Sequence, residues 1–432
     1  MATIEVNPLA LYTNAESNRL KNYLTGTHNV LARKDYKFNG KEFHTAKIVL
    51  QSIKQIVAFH SSYICGKPVS VDGSKMISEV YKKGFYSKTD YQLVQNLVTY
   101  GNAYEYVYRD NDGTVKSKVI PNVDAYPLYK NGQYVGFIER YCYNTLDDYQ
   151  LEREYTTDFV KEYENGILKR TFRNSSHSLP IHYTTGDYDK TGVFGIGIVA
   201  QLIPIMNEIE QILSKMSDSV TNLSMNPIST ISGQRLDESV DSDVVGANIN
   251  LEEGAEFEWQ TANLDYNSIK LLLDELIQQF YQVACVPSAL FGQGNVANVS
   301  ETSLELLFNN SDSYAKQLSF GLLEGFYKRL DIIGNMLDVP VNDIDITFNY
   351  NRPTDNTAMI SAMYNQYAMG AISKKTVIKN SPYTENVERE LQEIDKETKE
   401  KDKRQKELNS KANTQDVDKD DNTATDHNKA DD

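Results

Sequence analysis

Two apolar repeats separated by a polar insert constrain the fold of this chain more than any other feature. Within 194–227, an apolar side chain recurs every three or four residues from Ile198 onward, and the same spacing returns within 264–286 from Ile269 onward. This spacing lines the apolar side chains along one face of a helix. We therefore predict two helices, which pack on each other within one subunit or form a stalk against neighbouring subunits.

The insert between these helices, residues 228–263, has the pattern of a small β-containing subdomain. Short strand-like runs occur around 228–231 and 257–259, and an acidic stretch with turn-forming residues, 237–243, lies between them. We therefore expect a two-stranded tip at the end of a helical stalk.

Residues 44–193 combine helical and strand patterns. A helix over 48–64 and a second one around 91–100 are followed by alternating tyrosines that begin a β-hairpin over 104–120. Asn-Gly suits the tight hairpin turn in which both central residues have positive φ. The pairs of this type that separate further strand-like runs are Asn131-Gly132 and Asn165-Gly166. The fold class predicted for the chain is α+β.

The remainder of the chain is mainly helical. A glycine- and asparagine-rich loop occupies 287–299, and residues 300–354 contain a long helix, opened by Thr302 in a capping box, and then a strand. Further helices are predicted within 355–398. Residues 399–432 are almost entirely polar and charged, so we expect an unstructured acidic tail.

The charge balance argues against a protein that grips nucleic acid. There are 60 acidic and 44 basic residues, which gives a formal net charge of -16. Tight, general binding to DNA requires cations that neutralise phosphates. No apolar run reaches the length of about 18 residues that a membrane span needs, so no contact with a membrane is predicted.

No motif in the sequence predicts a catalytic, nucleotide-binding or metal site. Residues 195–200 match the dinucleotide fingerprint GxGxxA, but the preceding residues 187–192 are polar where a buried strand is required. Gly66-Lys67 lacks the other residues of a phosphate loop, and the six histidines and three cysteines form no spaced ligand set. We therefore predict no catalytic residue, no metal, no cofactor and no enzymatic activity.

Four segments stand in a fixed order along residues 45–395. They are Tyr63-Ile64-Cys65-Gly66-Lys67-Pro68-Val69; Gly101-Asn102-Ala103-Tyr104; Ile120-Pro121 with Tyr126-Pro127-Leu128-Tyr129; and Gly370-Ala371-Ile372-Ser373-Lys374-Lys375-Thr376-Val377 with Pro382 and Val387-Glu388-Arg389-Glu390-Leu391. Together they resemble the portal proteins of tailed bacteriophages, of the type common in siphophages of Gram-positive hosts. One departure is Ser300-Glu301-Thr302-Ser303, where the family usually shows Ser-Gly-x-Ala.

The resemblance implies a ring, usually of twelve subunits, at one vertex of the capsid, through which double-stranded DNA is packaged and ejected. The segments then take the family's names. They are an N-terminal arm (1–43), a wing (44–193 and 300–354), two stem helices (194–227 and 264–286), a clip (228–263), a tunnel loop (287–299), a crown (355–398) and the tail (399–432).

The resemblance also implies partners and a location. The partners are the terminase large subunit, which supplies the energy for packaging, the head-completion connector, the tail, and the major capsid and scaffolding proteins. The protein would be assembled in the host cytoplasm and reside at the portal vertex of the virion. DNA would pass without sequence-specific binding.

Three groups of residues are candidates for these contacts. The tunnel-loop residues expected to face DNA are Gly292, Gln293, Gly294, Asn295 and Asn298. The expected channel lining is Asp274 and Glu275. The clip residues expected to dock the motor or connector are Arg235, Asp237, Glu238, Asp241 and Asp243.

Two other classes of protein remain open from the sequence. One is another minor head or connector protein of a phage virion. The other is a metal-dependent nucleic-acid enzyme, because catalytic carboxylates need not cluster in sequence.

Overall fold

The computed structural model describes residues 7–38, 41–144, 149–221, 228–233, 251–260, 265–287, 301–352, 356–384 and 387–420. The chain divides into two compact units, Met1–Arg352 and Pro353–Asp432. Both helices and antiparallel strands occur, so the fold is α+β as predicted.

The first unit contains most of the elements. Its helices are α1 (Pro8–Leu24), α2 (Ser52–Cys65), α3 (Lys75–Lys83), α4 (Tyr86–Tyr100), α5 (Ile198–Ser219), α6 (Tyr266–Val283) and α7 (Glu301–Leu337). Its strands are β1 (Tyr36–Phe38), β2 (Lys41–Phe43), β3 (Ser70–Asp72), β4 (Asn102–Arg109), β5 (Val115–Ile120), β6 (Ala125–Lys130), β7 (Gln133–Asn144), β8 (Tyr149–Tyr155), β9 (Phe159–Glu164), β10 (Ile167–Arg173), β11 (Ile181–Thr184), β12 (Ile228–Ser232), β13 (Glu256–Gln260) and β14 (Asp345–Thr347).

Two antiparallel sheets of more than two strands occur in the described part of this unit, beside the two-stranded sheets β1-β2, β3-β14 and β12-β13. The larger has the strand order β10-β9-β8-β7-β6, and the smaller has the order β11-β4-β5. Both Asn-Gly turns of the larger sheet have positive φ at both residues, as predicted: 53° and 75° at Asn131-Gly132, and 48° and 77° at Asn165-Gly166. The hairpin predicted over 104–120 is confirmed as β4 and β5.

Strand β4 separates two hydrophobic cores. Its residues Tyr104 and Tyr106 face a small core shared with the larger sheet. Ala103 and Val107 face a large core built mainly by α2, α4, α5 and α7. This alternation follows from the two-residue period of a strand. The small sheet is therefore sandwiched between the helices and the larger sheet.

Helix α7 packs against the edge of the small sheet through glycines. A Cβ atom at Gly321 would lie 1.9 Å from the carbonyl oxygen of Thr184, and one at Gly325 would lie 2.0 Å from the ring of Tyr183. The helix begins at Glu301, so Thr302 lies within its first turn and not at the position before it. Only glycine at positions 321 and 325 allows the helix and the strand to approach this closely.

The large core contains a buried ion cluster around Arg329 of α7. Its guanidinium, which is 0 % exposed, lies 2.6 Å from Asp90 Oδ1 of α4 and 2.9 Å from Glu105 Oε1 of β4. The ring of Phe326 stacks on the guanidinium at 4.3 Å. Burial raises the pKa of Asp90 to about 6, against the opposing effect of the arginine. The cluster joins α7 to α4 and β4 across 239 and 224 positions of the sequence.

Helix α2 is shorter than predicted. It begins at Ser52, whereas the apolar pattern suggested a start at Ile48. Residues 44–51 lie outside any helix or strand instead, and the main-chain N–H groups of Ala46, Ile48 and Leu50 bind side chains of α5. Helix α3 was not predicted.

The second unit consists of helices in its described part. They are α8 (Asn356–Ala368), α9 (Lys374–Asn380) and α10 (Val387–Asp420). The expectation of an unstructured tail from residue 399 is wrong for 399–420, which continue α10 with exposed side chains over 399–406. Lysine, glutamate, glutamine and alanine are strong helix formers, so local propensity extends the helix through this almost entirely polar and charged segment. Residues 421–432 lie outside the described part.

Candidate functional site: the stalk helices and their base

The two predicted helices are present as α5 and α6, which we call the stalk helices, and the strands β12 and β13 lie between them in sequence. Apolar side chains of both helices, among them Ile209 of α5 and Phe280 of α6, join the large core. Strands β12 and β13 pair antiparallel from Ile228 opposite Gln260 to Ser232 opposite Glu256. The two strands predicted in the insert are therefore confirmed. Pro204 lies inside α5.

The apolar face of α6 is only partly covered within one subunit. Phe280 is buried, but Leu272 of the predicted seam is 51 % exposed and its neighbour Leu271 is 72 % exposed. Such large exposed side chains on a helix commonly mark a contact with another chain. The periodicity identified the helix, but it did not show what covers it.

The predicted channel residues Asp274 and Glu275 are both exposed on α6. Glu275 accepts a hydrogen bond from the side-chain amide of Gln279, at 2.9 Å. Consecutive helical residues point about 100° apart, so the two carboxylates face different directions. All five predicted tunnel-loop residues and all five predicted clip residues lie outside the described part of the chain.

The start of α5 packs closely on its neighbours at Gly195 and Gly197. Both glycines belong to the match to the dinucleotide fingerprint that was rejected above. A Cβ atom at Gly197 would lie 2.4 Å from the carbonyl oxygen of Thr99, and one at Gly195 would lie 2.2 Å from that of Gly101. Gly101 ends α4 with a φ of 77°. These glycines therefore permit backbone packing between the α4–β4 corner and the start of α5, which is their structural role here.

A hydrogen-bond chain continues from this corner. The Asn102 side-chain nitrogen donates to the Gly195 carbonyl (3.0 Å), so its Oδ1 accepts from the Gly195 N–H (2.9 Å) and from His182 Nε2 (3.0 Å). His182 Nδ1 then accepts from the Tyr129 hydroxyl, at 2.6 Å. Burial lowers the pKa of His182 to about 3. The histidine is therefore neutral and links Asn102 to Tyr129.

The end of α6 is fixed by a second buried histidine, His60 of α2. Its Nε2 donates to the carbonyl oxygen of Ala284, at 2.7 Å. Burial lowers the pKa of His60 from 6.5 to about 4. The stalk is thus attached at the start of α5 and at the end of α6.

This histidine predicts a pH dependence of stability. The unfolded chain binds a proton at His60 below about pH 6.5 while the native chain does not, so the free energy of unfolding falls as the pH decreases from that value. Between about pH 7 and pH 4.5, we expect this residue to account for a loss of about 2 kcal/mol. Urea unfolding of the wild type and of His60→Gln at both pH values measures it. Equal losses in the two proteins would contradict the assignment.

The sequence analysis missed a polar row on α5, formed by Glu210, Ser214 and Asp218. These side chains bind the segment 44–51 and are described in detail below. The available signal was three polar residues spaced by four in an otherwise apolar helix.

Two searches of the described residues give negative results. No group of three or more histidine, cysteine, aspartate or glutamate side chains there could hold a metal ion. Among the described helices, none combines the length and the apolar character needed to cross a membrane.

Comparison with known proteins identifies the class and then the family. An α+β unit that carries a helical stalk with a β ribbon is the arrangement that the resemblance to phage portal proteins implies. A family model described as "Phage portal protein, SPP1 Gp6-like" matches residues 14–404. The chain therefore belongs to this portal family, whose members are structural proteins, and it is a portal protein of the capsid vertex.

Solved structures similar to the chain come from gene transfer agent (GTA) particles. A chain in the neck of the empty particle, computed with C6 symmetry, is 11% identical, with a TM-score of 0.47, over 78% of this chain and 88% of that chain. A chain in the neck of the native particle, computed with C12 symmetry, is 11% identical, with a TM-score of 0.46, over 76% and 87%. No curated protein matches the sequence.

Proposed function

We propose that this portal protein forms a closed ring of twelve subunits, with an axial channel through which double-stranded DNA enters and leaves the capsid. The observation that carries the proposal is the portal-family match over residues 14–404. The protein would act without catalysis of its own. The terminase large subunit would supply the energy for packaging.

In this proposal each part of the chain has a mechanical role. Residues 44–193 and 300–354 form the wing, 194–227 and 264–286 the stem, and 355–398 the crown. The clip (228–263) docks first the terminase and later the head-completion connector through Arg235, Asp237, Glu238, Asp241 and Asp243. The loop 287–299 faces DNA.

The charge of the chain supports passage of DNA rather than its retention. The net charge is -16, and Asp274 and Glu275 on the exposed surface of α6 would add negative charge to the channel. Phosphates near such a wall gain none of the counterion-release free energy that basic proteins obtain on binding DNA.

The proposal extends to the particle. The portal would assemble in the host cytoplasm with scaffolding and major capsid proteins, and would connect to the tail of a siphophage of a Gram-positive host. The order of the four sequence segments supports this type of phage.

The exposed leucines of α6 support packing of the stem against neighbouring copies. Leu271 is 72 % exposed and Leu272 51 % exposed. Burying one leucine contributes about 1.5 to 3 kcal/mol, and a ring repeats the contact in every subunit. The interface should therefore respond strongly to a charge at these positions.

We predict that Leu271→Asp with Leu272→Asp prevents ring closure, because each interface would then bury unpaired carboxylates. The mass of the purified protein, measured by light scattering, should fall from that of a ring to that of monomers or small oligomers. Gln278→Asp, at an exposed position of the same helix, adds a charge without removing a leucine. A larger fraction of this variant than of the double leucine variant should therefore form rings. If the wild type, the double leucine variant and Gln278→Asp all formed rings equally well, α6 would not be part of the interface between subunits.

A further inference from the structure

Three polar side chains form a row along one face of α5. Glu210 and Ser214 are 0 % exposed, and the side chain of Asp218 is 19 % exposed. Buried polar groups require hydrogen-bond partners. In each case one partner is the main chain of residues 44–51, a segment outside the helices and strands that we name the strap.

The strap donates alternate main-chain N–H groups to this row. The pairs are Ala46 with Asp218 Oδ1 (2.7 Å), Ile48 with Ser214 Oγ (2.9 Å) and Leu50 with Glu210 Oε1 (2.8 Å). Two extended residues span about 6.6 Å and four helical residues about 6 Å, so the two spacings match. The strap therefore runs antiparallel to α5 with its acceptors in register.

The intervening amides serve as an internal reference. In the part of the chain that the structure describes, the N–H groups of Lys47 and Val49 have no hydrogen-bond acceptor. The strap is consequently not paired as a strand in a sheet. It is bound along one edge by side chains alone.

The two ends of the strap differ in their exposure. At the Leu50 end, Glu210 also lies 2.8 Å from His28 Nδ1, and both side chains are almost completely buried. At the Ala46 end, Asp218 pairs with Arg33 Nη2 at 2.7 Å, and these side chains are 19 % and 21 % exposed. Arg33 also donates to the Ala46 carbonyl, at 2.6 Å.

We propose that the strap is a latch that fastens α5 to the N-terminal part of the subunit and that opens from the Asp218 end. An ion pair open to solvent is screened by salt, whereas a buried pair is screened much less. Opening at Asp218 frees the last turns of α5, which lead toward the β ribbon. The Glu210 end meanwhile holds the base of the helix in place.

This latch would let the tip of the stalk move while its base stays fixed. It is a property of one subunit, so its test does not depend on ring formation or subunit number. Helix α5 recognises residues 46–50 through their main-chain N–H groups, so this part of the latch depends on the acceptors of α5.

Residue-resolved amide hydrogen exchange on the full-length protein tests the latch. We expect Ala46, Ile48 and Leu50 to exchange more slowly than Lys47 and Val49. Raising the salt from about 0.05 M to about 1 M should speed exchange at Ala46 by about twofold to fivefold and leave Leu50 nearly unchanged. Uniform exchange over 46–50 would overturn the binding mode, and an equal salt response at both ends would overturn the opening order.

A pair of α5 variants adds an independent readout. Ser214→Ala should speed exchange at Ile48 by about tenfold through loss of one hydrogen bond. Glu208→Gln, on the exposed face of the same helix, should change none of the strap amides. An Ile48 amide that exchanges equally slowly in both variants would show that the side chains of α5 do not hold the strap.

Discussion

Replacing Arg329 with methionine should destabilise the first unit by about 3 to 5 kcal/mol, the usual result of removing one partner from a buried ion pair. The arginine is 0 % exposed and faces Asp90 and Glu105 at 2.6 and 2.9 Å. Methionine fills much of the volume but leaves two carboxylates in an apolar core. Urea unfolding at neutral pH, followed by circular dichroism, measures the loss.

Two further measurements separate charge from packing at Arg329. Adding Asp90→Asn and Glu105→Gln to Arg329→Met removes the uncompensated charges, so a large part of the lost stability should return. Lower pH should also reduce the difference between Arg329→Met and the wild type, because the stranded carboxyls can then take up protons. If the loss of stability in Arg329→Met stayed constant with pH and was not reduced by Asp90→Asn and Glu105→Gln, the substitution would have changed only the packing.

The second large effect is expected at the base of the stalk. In Gly197→Ala, the new Cβ atom would lie 2.4 Å from Thr99 O, 2.6 Å from Thr99 C and 2.8 Å from Gly101 N. All three are backbone atoms, so the corner between α4 and β4 must move away from α5. We expect a loss of about 2 to 3 kcal/mol, at the upper end of the range for overpacking. Urea unfolding measures it.

Gly192→Ala is the matched control for this prediction. Gly192 lies five residues earlier, and a Cβ atom there would meet nothing within 4 Å. Its φ of 70° still disfavours alanine, at a cost of about 1 kcal/mol. If the two variants were equally stable, close packing at Gly197 would not be what fastens the stalk.

Local patterns in the sequence predicted much of the fold. The hairpin of β4 and β5 follows from alternation and turn residues, and positive φ at both Asn-Gly pairs follows from steric limits on the tight turn. The stalk helices follow from apolar periodicity. Each of these signals lies within about a dozen neighbouring residues.

The features that fasten the stalk depend on contacts between distant residues. Arg329 pairs with Asp90 across 239 positions, and the strap binds Ser214 across 166. No local pattern encodes such partners. The strap shows the consequence most clearly, because Ile48 continues the apolar period of α2 but its amide is bound by α5 instead.

Apolar periodicity also failed to show how much of a helix one subunit covers. The second seam predicted an apolar face on α6, and Leu272 lies on it, but half of this side chain is exposed. A pattern reveals that a face must be covered, not which chain covers it. For residues 399–420 the lack of apolar residues predicted no structure. Strong helix formers nevertheless extend α10 to Asp420.

Electron microscopy of the purified full-length protein tests the central claim most directly. We predict closed rings of twelve subunits with an axial channel, and with the stalk helices α5 and α6 of neighbouring subunits in contact around it. A compact monomer under all solution conditions would contradict the proposed ring, whatever the outcome of the measurements on single subunits.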